Sequence, residues 1–91
     1  MKPFDWNEQK NSLLKETRGI GFEDVQAALQ DQKLLDVIEH PDQKRYPGQA
    51  IYVIEINLYV FLVPCIEDDQ KIFLKTIYPS RKFTKKYLKG V

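Results

Sequence analysis

No acidic side chain occurs after Asp69 in this chain of 91 residues, although the whole chain carries 13 acids against 14 bases. Residues 1–70 hold every acid and half of the bases, a net charge of −6, whereas residues 71–91 carry Lys71, Lys75, Arg81, Lys82, Lys85, Lys86 and Lys89, a net charge of +7. A near-neutral average therefore conceals two oppositely charged segments. The single cysteine, Cys65, excludes an internal disulfide, and the single histidine, His40, leaves no cluster resembling a structural zinc site. The longest apolar run, residues 58–66, contains Pro64 and falls far short of the roughly 20 residues a membrane helix needs, so no membrane association is expected. Met1-Lys2-Pro3-Phe4-Asp5-Trp6 lacks the apolar stretch of a secretory leader, which makes a cytoplasmic location the expectation. There is no phosphate-binding glycine loop and no serine-nucleophile motif. The paired carboxylates Glu23-Asp24 and Asp68-Asp69 fall at a helix start and a hairpin turn, so neither a metal site nor a cofactor is expected.

What is present has the makeup of an ordinary globular chain, 43% hydrophobic and 30% charged, of a length that fits one domain over residues 1–91. Phe4-Asp5-Trp6 reads as a short strand. Asn7 then caps a helix from Glu8 to about Arg18, with Glu8 in its first turn and Lys15 and Arg18 near its end. Gly19 and Gly21 break that helix. Phe22, Val25, Ala28 and Leu29 recur at helical spacing in a second one, giving an αα-hairpin whose apolar residues, with Trp6, form a candidate core. Leu34 to Glu39 has the length and content of a strand, and His40 to Gly48 that of a polar loop with two prolines. Three further runs rich in strand formers, residues 50–56, 58–67 and 71–78, are separated by Asn57 and by Asp68-Asp69-Gln70, which predicts an antiparallel meander. Alternation in the last run puts Lys71, Phe73, Lys75 and Ile77 on one face and Ile72, Leu74, Thr76 and Tyr78 on the other. Pro79 ends that strand and Ser80 caps a closing basic helix whose apolar stripe is Phe83 and Tyr87. The fold class expected is α+β: a helical hairpin packed on a small antiparallel sheet, with a C-terminal basic helix.

The basic end interleaves its cations with Phe73, Tyr78, Phe83 and Tyr87. That pattern suits a phosphate-rich partner, because Lys and Arg neutralise the backbone while aromatic faces accept bases. It equally suits a solvated helix, or one that pairs with the acidic half of its own chain.

Phe4-Asp5-Trp6-Asn7, Lys10, Asn11 and Gly21-Phe22-Glu23-Asp24-Val25 resemble the opening of the BrnT family of bacterial toxins, and Ile77-Tyr78-Pro79-Ser80-Arg81-Lys82 with Lys85, Lys86 and Tyr87 resembles its close. The similarity spans nearly the whole chain as an ordered set of short motifs. Two positions depart from the family's pattern. Thr17-Arg18-Gly19 stands where a Lys-His-Gly step is common, and Lys75-Thr76 precedes the closing apolar pair. The resemblance implies a RelE/ParE-like fold, metal-independent cleavage of free or ribosome-bound mRNA, and neutralisation by a small cognate antitoxin.

Cleavage of that kind needs a base for the ribose 2′-hydroxyl, cations for the charge gathering on phosphorus, and an acid for the leaving oxygen. Arg81 is the first choice for the phosphate clamp, since a guanidinium fork grips two oxygens and keeps its proton, and its place at a helix start adds N–H donors. Lys71 and Lys75 supply further charge or, with a lowered pKa, a general base; the alternative is two exposed lysines guarding a sheet edge. His40 is the acid or base candidate by its ordinary pKa, or else a solvated loop residue. Lys82, Lys85, Lys86, Arg45 and Tyr78 complete the candidate RNA-binding set, with Tyr78 also open to a core role. The competing function is a non-catalytic inhibitor or interaction module whose basic face binds an acidic partner, an antitoxin tail or a topoisomerase subunit. A simple nucleic-acid binder is a third reading.

Overall fold

The structure is a computed structural model and describes residues 2–88. Lys89, counted above with the basic helix, lies outside the described residues. The chain runs β1 (Phe4–Asp5), α1 (Glu8–Arg18), α2 (Phe22–Gln30), β2 (Leu34–Glu39), β3 (Gln49–Ile56), β4 (Tyr59–Glu67), β5 (Ile72–Leu74), β6 (Tyr78–Pro79) and α3 (Arg81–Tyr87). It is a mixed α+β fold with three helices and an open six-stranded sheet of order β1-β5-β4-β3-β2, in which β6 pairs with β4.

Local chemistry sets the helix ends. The Asn7 side chain accepts from the Lys10 N–H at 2.9 Å, and Gly19, in the left-handed region at φ 70°, donates to the Lys15 carbonyl at 3.1 Å. In α2 the Asp24 carboxylate accepts from the Gly21 N–H at 2.8 Å, filling an otherwise vacant bond at the helix start. The hairpin packs on one face of the sheet, called here the inner face. Leu14, Ile20, Phe22, Val25 and Ala28 meet Ile54, Val63, Cys65, Ile72, Leu74 and Ile77, all buried. Trp6 is half-buried and stacks on Phe22 with ring centroids 5.5 Å apart. One polar residue sits within this core. Asn11, 1% exposed, accepts from the Phe22 N–H at 2.8 Å and donates from its amide to both Glu23 oxygens at 3.0 Å.

A second cluster lies on the opposite, outer face. Val53, Val60 and Leu62 are covered there by Tyr78, Phe83, Tyr87 and Leu88, so α3 and the hairpin sandwich the sheet between them.

Three expectations are corrected. The sheet is not purely antiparallel, because β1 runs parallel to β5, pairing Phe4 with Ile72. The strand expected over residues 71–78 is two short pieces on the same edge of β4. Leu74 pairs with Cys65 and Tyr78 with Leu62, so four residues on one side span three on the other. Such a surplus residue is a β-bulge, and it inverts the alternation beyond it. Ile77, expected on the face of Lys71 and Lys75, is buried in the inner core, and Tyr78, expected with Ile72 and Leu74, packs outside under α3. Third, the β3–β4 turn takes two residues, Asn57 and Leu58, both with positive φ (54° and 61°). This is the backbone of a tight hairpin turn, in which an asparagine is at ease and a leucine is not. Between β2 and β3 the polar loop closes through Gly48, at φ 75°, whose carbonyl accepts from the Glu67 N–H at 2.9 Å; a Cβ there would overlap the Glu67 carbonyl oxygen.

Replacing Asn11 by leucine leaves the Phe22 N–H without its acceptor, and a loss of about 1–3 kcal/mol in urea unfolding is expected. The Asn11 amide first, then its own backbone and Lys15, hold the Glu23 carboxyl below its ordinary 4.5. That contribution to stability is present above pH 4.5 and is lost as pH falls through the lower folded value, so the gap between wild type and Asn11→Leu should narrow on acidification. Leu58→Gly relieves a left-handed leucine that is 66% exposed, and should raise stability by about 1 kcal/mol in the same assay.

Candidate nucleic-acid interface

α3 has only seven residues and is held by the sheet rather than by itself. The Ser80 N–H donates to the Val60 carbonyl at 2.9 Å, and the Val60 N–H donates to the Thr84 hydroxyl at 2.9 Å, so one turn of helix closes both backbone groups of one buried strand residue. The Thr84 hydroxyl in turn donates to the Ser80 carbonyl at 2.7 Å. At the far end the Tyr87 hydroxyl donates to Asp36 of β2 at 2.9 Å, which raises the phenol's pKa. Phe83 and Tyr87 face the sheet as the spacing predicted, stacked with centroids 6.0 Å apart.

With its apolar stripe so committed, α3 turns its cations to solvent. Arg81, Lys82, Lys85 and Lys86 are exposed, and among the described residues none forms a salt bridge. Lys86 Nζ lies 5.7 Å from the Phe83 ring and 5.3 Å from the Tyr87 ring, and Lys82 Nζ lies 5.9 Å from Phe83. Cations over ring faces are held without being neutralised.

Strand register defines what lies beside the helix on the outer face. One cross-strand row, Asp36, Val53, Leu62 and Tyr78, is the one α3 covers. The next row runs Ile38, Ile51 and Pro64, and reaches Lys75, whose N–H donates to the Pro64 carbonyl at 2.8 Å. A third row runs from His40, whose N–H donates to the Gln49 carbonyl at 2.9 Å, through Ile66 and Phe73 to Asp5. Ile38 is 38% exposed, and Ile51, Pro64, Ile66 and Phe73 are half-buried, so these two rows form an apolar shelf alongside the basic helix.

The candidate residues from the sequence are distributed unequally around this shelf. Lys75 is exposed at the start of the bulge, and its backbone is four β4 residues from that of Ser80, about 13 Å from the start of α3. Two long side chains reaching toward each other close that separation, so Arg81 and Lys75 can act on neighbouring phosphates. Lys71 precedes β5 and donates to Asp5 at 2.9 Å; that hydrogen bond raises its pKa, the opposite of what a general base requires. His40 stands three strand spacings from Lys75, roughly 14 Å across the sheet. Its Nδ1 accepts from the Asp42 N–H at 3.0 Å, which leaves Nε2 as the protonated nitrogen of the neutral ring, and the imidazole rests on Tyr46. Arg45 lies over the same tyrosine, 5.9 Å from its ring, away from α3. Tyr78 is half-buried under the helix, a packing role. The donor set expected at the start of α3 is smaller than the sequence suggested, since the helix is short and the Phe83 N–H already donates to Ser80 Oγ at 3.1 Å.

The inner face carries the opposite charge. Beyond the end of the helical hairpin, a cleft of about 460 Å³ is lined by Glu39, Glu67, Asp68 and Asp69, with Tyr52 and Cys65 among the remaining residues. Lys2 bridges part of it, donating to Glu67 at 2.8 Å and to the Asp68 carbonyl at 2.7 Å. Burial first, then Glu67, pushes the Cys65 thiol up to about 11, which makes it an unreactive packing residue. This cleft repels phosphate, which leaves the outer face as the candidate surface for a phosphate-bearing partner. Ile38, Ile51 and Pro64 carried no functional signal in the sequence, because only register places them beside Lys75.

Comparison of the chain with protein-family models, with curated proteins and with solved structures found no match.

Thr84→Val keeps the shape of the α3 contact but orphans the buried Val60 N–H. Urea unfolding should show a loss of about 1–3 kcal/mol, and amide exchange should accelerate first in α3 and at Val60.

Proposed function

We propose that this chain is the toxin of a type II toxin–antitoxin pair, of BrnT type with a RelE/ParE-like fold, and that its outer face binds and cleaves RNA. The observation that carries the reading is the exposed, unneutralised row Arg81, Lys82, Lys85 and Lys86 standing over the same sheet face as Lys75. Cations held on a sheet-anchored helix stabilise charge on a phosphate, and Asp36, the carboxylate at the far end of that helix, is engaged by the Tyr87 hydroxyl. In this reading Arg81 clamps the scissile phosphate, Lys75 adds charge from the bulge that follows β5, and Lys82, Lys85 and Lys86 track the backbone. Outside this set, Lys71 serves as half of a structural ion pair and Arg45 as part of a turn. A cognate antitoxin would silence the protein by covering α3, and the absence of any membrane-spanning helix among the described residues is compatible with action on cytoplasmic mRNA.

A second reading has its own support. The two residues with chemistry for moving a proton, Lys71 and His40, are engaged by Asp5 and by the Asp42 backbone, which favours a module that binds an acidic partner and performs no catalysis.

Purified protein incubated with 5′-labelled single-stranded RNA separates the two. Cleavage is expected for wild type and its loss for Arg81→Ala, with an unchanged circular dichroism spectrum. Lys82→Ala/Lys86→Ala should weaken RNA binding and lower the salt dependence, log Kd against log salt, by about 0.7 for each lysine removed. Tight binding of acidic peptide with neither RNA binding nor cleavage would establish the second reading instead.

A further inference from the structure

Three observations single out one part of the outer face. The row Ile38, Ile51 and Pro64 is uncovered, although the adjacent row, one step nearer α3, is sealed by Phe83, Tyr87 and Leu88. Over it lies a cavity of about 220 Å³ whose lining includes Ile38, His40, Pro41, Ile51 and Pro64, with Glu39 at its edge on the strand that carries Ile38. Its volume is below the roughly 300 Å³ at which pockets for drug-sized ligands begin, and it suits one heterocycle. Cations flank it, with Lys75 tied through its backbone to Pro64 itself and the exposed side of α3 running alongside.

A ligand matching both features must be flat and apolar across its faces and anionic on either side. A peptide with acidic side chains satisfies the cations but leaves the apolar walls without a partner. A base pair in a duplex hides its faces in the stack and presents only an edge. A single unstacked base offers its faces to proline and isoleucine and its edge to a donor, while its own phosphates extend toward the cations. His40 supplies that donor. With Nδ1 occupied by the Asp42 N–H and the ring fixed against Tyr46, the protonated Nε2 is the nitrogen left for a ligand.

We infer that this cavity is a base-binding subsite for single-stranded RNA, in which one unstacked nucleobase sits between Ile51, Pro64 and His40 while Lys75 and α3 hold the adjoining phosphates. The inference rests on the proposed RNA-directed function and narrows its substrate class. His40 is thereby a base-contacting residue, too distant from Arg81 to share its phosphate.

The test is fluorescence anisotropy with three labelled probes of equal length: an oligouridylate, the same ribose-phosphate chain without bases, and an RNA duplex. Wild type should bind the oligouridylate at least about fivefold more tightly than the abasic chain, and more tightly than the duplex. Ile51→Phe, which fills the cavity, and Ile38→Gln, which makes its half-open rim polar without adding charge, should each erase that preference while leaving abasic affinity within twofold of wild type. Two rim positions on different strands protect the test against one variant that fails to fold. Equal affinity of wild type for the oligouridylate and the abasic chain, with both lost in Lys82→Ala/Lys86→Ala, would overturn the subsite and leave the proposed function standing. Preference for the duplex, or a base preference that survives in both cavity variants, would also overturn it. No binding to any probe would remove the proposed function and the subsite together.

Discussion

The arrangement of the molecule depends on one edge of β4. Its first half receives β6 and its second half β5, and the strand carrying both has one residue more than β4 has between them. That surplus turns Ile77 into the core under the helical hairpin and Tyr78 to the opposite side. Without it, Pro79 and Ser80 would leave the sheet half a pleat out of phase, and the closing helix would emerge toward the face the hairpin already occupies. With it, α3 lands over Val53, Val60 and Leu62, whose outer sides would otherwise be an exposed apolar patch.

The landing is stabilised by more than packing. Seven residues are too few for a helix to persist in water, so α3 is ordered by what it touches. Thr84 and the Ser80 backbone together satisfy the N–H and carbonyl of Val60, a residue with no exposure to solvent. Breaking that contact therefore costs a buried unsatisfied group as well as apolar area, which couples the basic helix to the stability of the sheet.

The two halves of the charge distribution are kept apart by this sandwich. Carboxylates gather around the inner cleft at the end of the sheet, and the cations of α3 stand on the outer face. Among the described residues, the salt bridge Lys71–Asp5 and the hydrogen bond from Tyr87 to Asp36 join the basic and acidic segments, both exposed and both of small energetic weight. A molecule of almost zero net charge thus carries a cluster of cations on one side of its sheet and a cluster of carboxylates on the other.

Element by element, local signals were sufficient where the physics is local. Asn7, Gly19 and Ser80 cap helices as their side chains and backbone freedom dictate, Phe22, Val25 and Ala28 recur at the helical period, and the closing helix shows Phe83 and Tyr87 four apart with cations on every other side. A strand read by strict alternation from residue 71 to 78 failed, because a bulge is a property of two paired strands and leaves no trace in either one alone. The same reason hid the shelf: Ile38, Ile51, Pro64 and Lys75 come from four separate segments, and only pairing aligns them. By itself the order of residues determined which elements form and that the last of them is cationic. Tertiary structure decided which side of the sheet that helix takes, which lysines keep their charge unopposed and which have it offset by a carboxylate, because register and ion pairing are settled between residues far apart in the chain.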